Sequence, residues 1–247
     1  MLLACLLSLA FFTSAAAGPA PSSVRVEPPD SILFTGNSLT FYNNAIYTHL
    51  RKLLVAEDPS LRQRIFLKSM TISGAKLSDH SSGLVQILNS RHWDVVVLQG
   101  QSREAIDPDL KDGFENIVRL YAKEIRSKDA EPVLFMTWAY SDKPAMTAQQ
   151  VRAFKHLGKK LDIMVIPVGL AFERAKKMNP DVVLHNEDRI HPSLEGTYLA
   201  AAVFYAALYR KSPFELDYDA GLEENTARLL RQAAWETVED YYTPGDD

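Results

Sequence analysis

The ten residues at positions 31–40, SILFTGNSLT, indicate the fold class. The first five form a short apolar run, which is typical of a strand buried on both faces of a parallel sheet. Gly36 then allows a tight turn out of the strand, and the polar residues that follow can cap a helix. A strand that leads at once into a helix predicts the first unit of an α/β protein.

The same alternation of strand and helix continues along the chain. Further apolar strands are predicted at 65–70, 94–98, 132–136 and 163–167. Helical spacing predicts helices at 44–57, from Ser81 or Ser82 onwards, and at 108–126, 147–160, 170–178, 194–209 and 222–241. Five apolar strands separated by helices predict one doubly wound domain, in which helices cover both faces of a parallel sheet.

The N-terminal segment predicts export. Residues 2–12 are apolar and the small residues Ala15, Ala16 and Ala17 follow, which is typical of a signal peptide at 1–17 with a Pro-rich lead-in at 18–30. We therefore expect a secreted or periplasmic protein with no stable membrane insertion after cleavage. Two alternatives are an N-terminal membrane anchor, although the run is marginal in length, and lipidation of Cys5, the only cysteine.

Composition excludes several classes of protein. Hydrophobic residues make up 47% of the chain and charged residues 23%, which excludes a disordered chain. The 27 Lys and Arg against 31 Asp and Glu give a formal net charge of −4. No basic field results, so we expect no nucleic-acid partner.

In doubly wound sheets, ligands bind beyond the carboxyl ends of the strands, so the residues after each strand are the candidates. After the first strand, Ser38 can expose a hydroxyl, or Asn37, Ser38 or Thr40 can simply cap a helix. After the second strand, Gly74 can present its backbone N–H to an anion or is simply a turn glycine. The third strand is followed by the side-chain amides of Gln99 and Gln101, or by a capped turn. After the fourth strand, Trp138 and Tyr140 either line a pocket or cover the sheet.

The segment 188–193, DRIHPS, carries the most informative pair. With the spacing i, i+3, the Asp188 carboxylate can accept a hydrogen bond from His191 Nδ1, which leaves Nε2 free as a general base. Alternatively, the pair only caps the next helix. A metal cluster of His185, Glu187, Asp188 and His191 is a further alternative, but no second group of ligands supports it, so we predict no metal.

Together, the blocks Gly36-Asn37-Ser38-Leu39, Gly74 and Asp188-x-x-His191-Pro192-Ser193 resemble the SGNH/GDSL hydrolase superfamily of esterases and lipases. The resemblance extends from Ser31 to about Tyr209. It implies a three-layer α/β/α flavodoxin-like fold with a five-stranded parallel sheet, which we assign to residues 31–247. It also implies that Ser38 is a nucleophile, that Asp188 is an orienting carboxylate and that His191 is a general base. The implied oxyanion hole consists of the backbone amides of Ser38 and Gly74 and the side-chain amide of Gln101.

The third block departs from the family pattern. The family has G-x-N-D after the third strand, whereas this chain has Gln99-Gly100-Gln101-Ser102. A branch with G-N-S, L-Q-x-Q-S, M-T-W-A and H-P-S-x-x-G blocks looks similar. Gln101 can supply the amide donor on a longer arm, and Gln99 is the alternative.

These residues predict a secreted serine esterase that hydrolyses a small ester through an acyl-enzyme, with no cofactor. The resemblance and the predicted export together imply carbohydrate O-acetyl groups as the candidate substrate. Three aromatic residues can stack on a sugar or line an acyl groove: Tyr42, Trp138 and Tyr140. The alternative function is a non-catalytic glycan-binding domain on the same fold. A nucleotide or phosphate binder is disfavoured, because no glycine-rich phosphate motif follows the first strand.

Overall fold

The computed structural model describes residues 27–243. The predicted signal peptide at 1–17, Cys5 and most of the Pro-rich lead-in lie outside the described residues. Within residues 27–243, none of the helices combines the length and the apolar character that crossing a bilayer requires.

A parallel sheet of five strands forms the centre of the molecule. The strands are β1 (Ser31–Gly36), β2 (Phe66–Thr71), β3 (Val95–Leu98), β4 (Glu131–Phe135) and β5 (Met164–Ile166), in the order β2-β1-β3-β4-β5. All pairings are parallel. This is the strand order of a flavodoxin-like fold, and it confirms the predicted five-stranded parallel sheet.

Helices cover both faces of the sheet. They are α1 (Ser38–Phe41), α2 (Ile46–Glu57), α3 (Ser81–Ser90), α4 (Lys111–Arg126), α5 (Met146–Leu161), α6 (Val168–Met178), α7 (Leu194–Tyr209) and α8 (Glu224–Tyr242). Because side chains alternate along a strand, Ile32 and Phe34 pack with the α2, α6, α7 and α8 layer, whereas Leu33 faces α3, α4 and α5. The structure therefore has the predicted three layers.

The C-terminal helix α8 completes one layer. Its apolar face, with Leu230, Ala233 and Val238, is buried against α6 and α7. Helix α7 is itself buried along almost its whole length, from Gly196 to Leu208. The last turn of the described chain is also anchored, since the Tyr242 hydroxyl donates to the carbonyl of Val165 in β5.

Three helices begin later than the hydrophobic periodicity predicts. Helix α8 begins at Glu224 rather than at 222, after the capping residue Glu223, whose carboxylate accepts from Thr226 N at 3.0 Å. Helix α2 begins at Ile46 rather than at 44, because Asn43, Asn44 and Ala45 all have positive φ angles that a helix cannot contain. Helix α4 begins at Lys111 rather than at 108, because the chain forms turns from Gln101 onwards.

The chain winds in opposite directions from β1 and from β3, its neighbour. In doubly wound sheets the crevice at such a switch point is the usual ligand site. The segments that follow β1 and β3 contain Ser38 and Gln99, so the fold places these residues at that crevice.

Candidate active site

Ser38 is the first residue of the short helix α1. Asn37 before it has extended backbone angles and caps the helix, its Oδ1 accepting from Leu39 N at 3.1 Å. The capping role therefore belongs to Asn37, which leaves the Ser38 hydroxyl available for other chemistry. Because Ser38 begins the helix, its own N–H has no partner within the helix. The residue is 8% exposed, at the carboxyl edge of the sheet.

The structure brings Ser38, His191 and Asp188 together in a chain of hydrogen bonds. His191 Nε2 lies 2.8 Å from Ser38 Oγ, and His191 Nδ1 lies 2.5 Å from Asp188 Oδ2. A carboxylate only accepts, so Nδ1 carries the proton and Nε2 accepts from the serine hydroxyl. This is the arrangement in which an imidazole can take a proton from a serine that attacks a carbonyl.

Asp188 is held as an anion. Its Oδ1 accepts from the backbone N–H groups of Ile190 and His191, both at 2.9 Å. Partial burial acts to raise the pKa of Asp188, but these bonds and the bond from His191 outweigh it, so the pKa lies below its ordinary value. The side chain is nevertheless 45% exposed, against 24% for His191. The carboxylate therefore orients the imidazole from a position that water can reach.

The segment that carries both residues folds back on itself. His185 and Pro192 form an antiparallel bridge, and Arg189 at the tip has a φ of +66°. Ser193 then caps α7, its Oγ accepting from Gly196 N at 3.1 Å. Position 196 requires glycine, because a Cβ there would lie 2.3 Å from the carbonyl oxygen of Leu184. The alternative prediction, that Asp188 and His191 only cap the next helix, is wrong, because the cap is Ser193.

Gln99 fixes the turn that presents Ser38. Its side chain is fully buried, and Oε1 accepts from Asn37 N at 2.9 Å and from the Thr40 hydroxyl at 2.8 Å. Its Nε2 donates to Asn37 Oδ1 and to the carbonyl of Gly100. Both amide hydrogens are thus in use inside the protein. Gln99 is not free to donate to a substrate, which removes it as the alternative to Gln101.

The side chain of Gln101 is less constrained than that of Gln99. Its Oε1 accepts from Arg103 N at 3.0 Å, and in the described part of the chain its Nε2 has no hydrogen-bond partner. Buried Glu104 holds the backbone here, one carboxylate oxygen accepting from Gln101 N at 2.8 Å and from Leu77 N at 3.1 Å. Burial raises the pKa of Glu104 above its ordinary value, and these two bonds only partly offset it.

Gly74 lies in an exposed turn after β2, with a φ of +68°. Nothing within 4 Å would contact a Cβ at this position, so the backbone conformation and not crowding favours glycine. The next residue ties this turn to the serine turn, because the Ala75 carbonyl accepts from Asn37 Nδ2 at 3.0 Å. An aspartate at position 37 would lack that donor, which explains the Asn in this chain.

Known structures with a similar course of the chain include esterases and hydrolases. A DUF4886 family protein from Bacteroides uniformis has a TM-score of 0.68 at 19% identity, covering 87% of this chain and 96% of its own. A Slackia heliotrinireducens protein assigned to the SGNH hydrolases has a TM-score of 0.58 at 23% identity over 70% and 96%. An acetyl xylan esterase from Geobacillus stearothermophilus has a TM-score of 0.59 at 16% identity over 75% and 97%. The chain has the SGNH hydrolase fold. No protein-family model and no curated protein matches the sequence.

Within this SGNH fold, the three predicted aromatic residues have different environments. Tyr42 is half-buried and its ring stacks on the imidazole of His191, with centroids 4.3 Å apart and planes 10° apart. Tyr140 is half-buried and its hydroxyl pairs with Ser102 Oγ at 2.7 Å. Trp138 is 1% exposed and stacks on Phe172, while its Nε1 donates to the Ile190 carbonyl at 2.9 Å.

These positions correct the prediction for Trp138 and show that Tyr42 contacts His191. Trp138 offers no surface to a substrate, so its predicted place in the pocket wall is wrong; it supports the segment that carries His191. Tyr42 contacts the imidazole directly. Asn43 also contacts this region, its Nδ2 donating to the carbonyl of Pro192 and to the hydroxyl of Thr197, both at 2.9 Å. The contacts of Asn43 and Glu104 were not predicted, since neither residue occurs in a motif. The Asn-Asn pair at 43–44 was the only hint, because Asn tolerates left-handed backbone better than most residues.

Polar and apolar side chains surround the site. Residues 27–243 contain no group of three or more His, Cys, Asp or Glu side chains arranged to hold a metal ion. His185 instead donates from Nε2 to the carbonyl of Ala139 at 2.9 Å. Phe41 at the end of α1 and Ile72 after β2 are 38% and 47% exposed, so apolar surface adjoins the segments that hold Ser38 and Gly74.

Proposed function

We propose that the protein is a serine esterase of the SGNH superfamily, with Ser38 as nucleophile, His191 as general base and Asp188 as the residue that orients it. The hydrogen bond of 2.8 Å between Ser38 Oγ and His191 Nε2 carries this proposal. A non-catalytic binding domain would have no need of a hydroxyl, an imidazole and a carboxylate aligned in series.

In the first step, Ser38 Oγ attacks the ester carbonyl while its proton passes to His191 Nε2. The tetrahedral intermediate then collapses, the bond to the leaving alcohol breaks, and the alkoxide takes the proton from the imidazolium. An acyl-Ser38 ester remains. Water attacks it with His191 again as base, which releases the acid and restores the serine. Asp188 stabilises the imidazolium in both half-reactions.

The oxyanion needs donors that are already aimed at it. The backbone N–H groups of Ser38 and Gly74 and the Nε2 of Gln101 are the proposed donors. Three observations support these donors: Ser38 is the first residue of α1, Gly74 lies in a left-handed turn, and within residues 27–243 the Gln101 Nε2 has no hydrogen-bond partner. Loss of one such donor typically lowers the rate by about 10²–10³-fold.

The proposed substrate is a small ester, with carbohydrate O-acetyl groups as the first class to test. The acetyl xylan esterase among the similar structures supports this class, as do the predicted signal peptide and the expected export of the protein. The chemistry assigned to Ser38, Asp188 and His191 uses no cofactor.

A labelling experiment tests the proposal. The purified protein is treated with a fluorophosphonate probe and assayed on nitrophenyl esters of increasing acyl length and on acetylated xylan and monosaccharides. We expect labelling and turnover by the wild type, neither by Ser38→Ala, and the highest kcat/KM on acetyl esters.

Ser102→Ala is the matched control, because Ser102 is another serine after a strand whose hydroxyl pairs with Tyr140 and not with an imidazole. It should keep its labelling. A folded wild-type protein that is neither labelled nor active on any ester would overturn the esterase proposal, and binding of acetylated glycans by such a protein would favour the binding domain.

A further inference from the structure

Three consecutive residues after α1 have backbone conformations that side chains disfavour. Asn43, Asn44 and Ala45 have φ angles of +50°, +68° and +69°. None is glycine, and alanine in particular rarely adopts a positive φ. Such strain persists only where surrounding contacts determine the conformation, and it is concentrated at functional sites. The contacts of this segment therefore need an explanation.

The contacts of Asn43 join the two halves of the site. Its Nδ2 donates to the carbonyl of Pro192, the residue after His191, and to the hydroxyl of Thr197 in α7, both at 2.9 Å. Tyr42, the residue before it, donates its backbone N–H to the Ser38 carbonyl at 3.1 Å and stacks on the His191 ring. One dipeptide thus contacts the peptides on both sides of the Ser38–His191 hydrogen bond.

A buried histidine holds Asn43 from the other side. His49 is 3% exposed; its Nε2 lies 2.7 Å from the Asn43 carbonyl and its Nδ1 lies 2.8 Å from the Tyr218 hydroxyl. A carbonyl only accepts, so Nε2 carries the proton and Nδ1 accepts from the tyrosine. Burial lowers the pKa of His49, which keeps this neutral tautomer in place at neutral pH.

We propose that Asn43 is a positioning residue, whose amide holds the Pro192 peptide so that His191 Nε2 stays within hydrogen-bond distance of Ser38. This proposal rests on the proposed function for its kinetic consequences but not for its geometry. The strained backbone is the conformation that directs the Asn43 amide toward Pro192 while its carbonyl faces His49.

The adjacent residue supplies a matched control. Asn44 is exposed, has a similar positive φ, and in the described structure its side chain makes no hydrogen bond. Asn43→Asp and Asn44→Asp are therefore the same chemical change in the same kind of backbone, and only the first removes donors from Pro192 and Thr197. Asn43→Gly removes the amide while it relieves the backbone strain, so it covers the case in which Asn43→Asp folds poorly.

Kinetics and labelling form the first arm of the test. With 4-nitrophenyl acetate we expect Asn43→Asp and Asn43→Gly to lower kcat by about 10–100-fold with KM within about twofold, in the range typical of misplaced catalytic groups. The rate of fluorophosphonate labelling should fall by the same factor, and Asn44→Asp should stay within twofold of wild type. Equal activity of the Asn43 and Asn44 variants, or a loss that matches only the unfolded fraction, would overturn the proposal.

Proton NMR forms a second arm that needs no activity. The His191 Nδ1 proton, hydrogen-bonded to Asp188, should give a downfield resonance in wild type and Asn44→Asp, assigned by its absence in His191→Gln. We expect it to be broadened or lost in both Asn43 variants. If it persists unchanged in them, Asn43 does not position His191. Absence of labelling and turnover in wild type would instead refute the esterase proposal, while this resonance still decides the role of Asn43.

Discussion

Ser38 and His191 lie within hydrogen-bond distance, but the structures that hold them differ. Ser38 follows β1, which pairs with two neighbouring strands, and its turn is fixed by the fully buried Gln99 and by His80, whose Nε2 donates to the Gly36 carbonyl at 2.8 Å. His191 lies in an irregular segment whose tip, including Asp188, is open to solvent.

The difference separates two kinds of hydrogen bond. Around Ser38, the same buried bonds support the fold and position the serine hydroxyl, because a broken bond leaves unpaired polar groups inside the protein. On the histidine side, the bonds orient a group that water already reaches, so their loss changes orientation more than stability. Substitutions on the two sides should therefore divide differently between activity and free energy of unfolding.

The largest expected effect on activity comes from substitution of His191, compared with substitution of its partner Asp188. We expect His191→Ala to lower kcat/KM by about 10⁵-fold or more and Asp188→Ala by about 10³–10⁴-fold, as in other serine triads. The smaller loss follows from the exposure of Asp188, since water can partly replace its carboxylate. Steady-state assays on 4-nitrophenyl acetate measure both, and thermal melts of the two variants should stay near wild type. Equal losses would mean that Asp188 does more than orient the imidazole.

Substitutions of Gln99 and Gln101 test the hydrogen bonds around Ser38. Gln99→Leu should lower the free energy of unfolding by about 2–4 kcal/mol and kcat by at least about 100-fold, because the Asn37 N–H and the Thr40 hydroxyl lose their buried acceptor. Gln101→Leu should lower kcat by about 10²-fold through loss of an oxyanion donor. Its stability should change by less than about 0.5 kcal/mol, as for other surface sites. Urea unfolding and kinetics separate the two outcomes; a stable Gln99→Leu variant would contradict the comparison.

Trp138→Phe tests the support beneath His191. It keeps an aromatic ring against Phe172 and removes the bond to the Ile190 carbonyl. We expect a loss of about 1 kcal/mol in stability, and a fall in kcat of about tenfold because a small misplacement of the base slows the reaction. Trp93→Phe is the control, since Trp93 is equally buried but its Nε1 donates to Ile87, in the opposite helical layer. Similar kcat values for the two variants would exclude the proposed support.

The smallest effect concerns pH. Burial raises the pKa of Glu104, so its contribution to stability is present below its ordinary value of 4.5 and is lost as the pH rises through the folded value. Gln is neutral at every pH, so the stability of Glu104→Gln relative to wild type should increase from pH 4 to 7. The change should be below about 1 kcal/mol.

Asp188 should show the opposite trend. Partial burial acts to raise its pKa, but the bonds from His191 and the backbone lower it below its ordinary value of 3.8. Its contribution is therefore present above that value and lost as the pH falls through the folded pKa. The stability of Asp188→Asn relative to wild type should decrease as the pH rises from about 3. Urea unfolding at several pH values measures both variants, and trends of the same sign would show that one assignment is wrong.

The sequence predicted the sheet and helical layers because buried strands and amphipathic helices leave a clear periodic pattern. It also predicted which residues meet around Ser38, since the strand ends share one edge of the sheet. It did not distinguish Gln99 from Gln101, because two amides two residues apart differ only in burial. It left open whether Trp138 lines a pocket or covers the sheet, because an aromatic residue after a strand can face either way. The role of Asn43 depends on a contact 149 residues away, which no local pattern reveals.

The short connection from His191 to Gly196 has a consequence for how relatives of this protein can vary. Pro192 and the cap at Ser193 leave no spare residue between the imidazole and helix α7, which is buried along almost its whole length. Inserting a single residue would displace either the His191 imidazole or helix α7 by up to about 3.8 Å, far more than a hydrogen bond tolerates. Changes of loop length that accompany a change of ligand should therefore accumulate elsewhere around the rim, for example at 105–110 and 139–145, while this connection keeps its length.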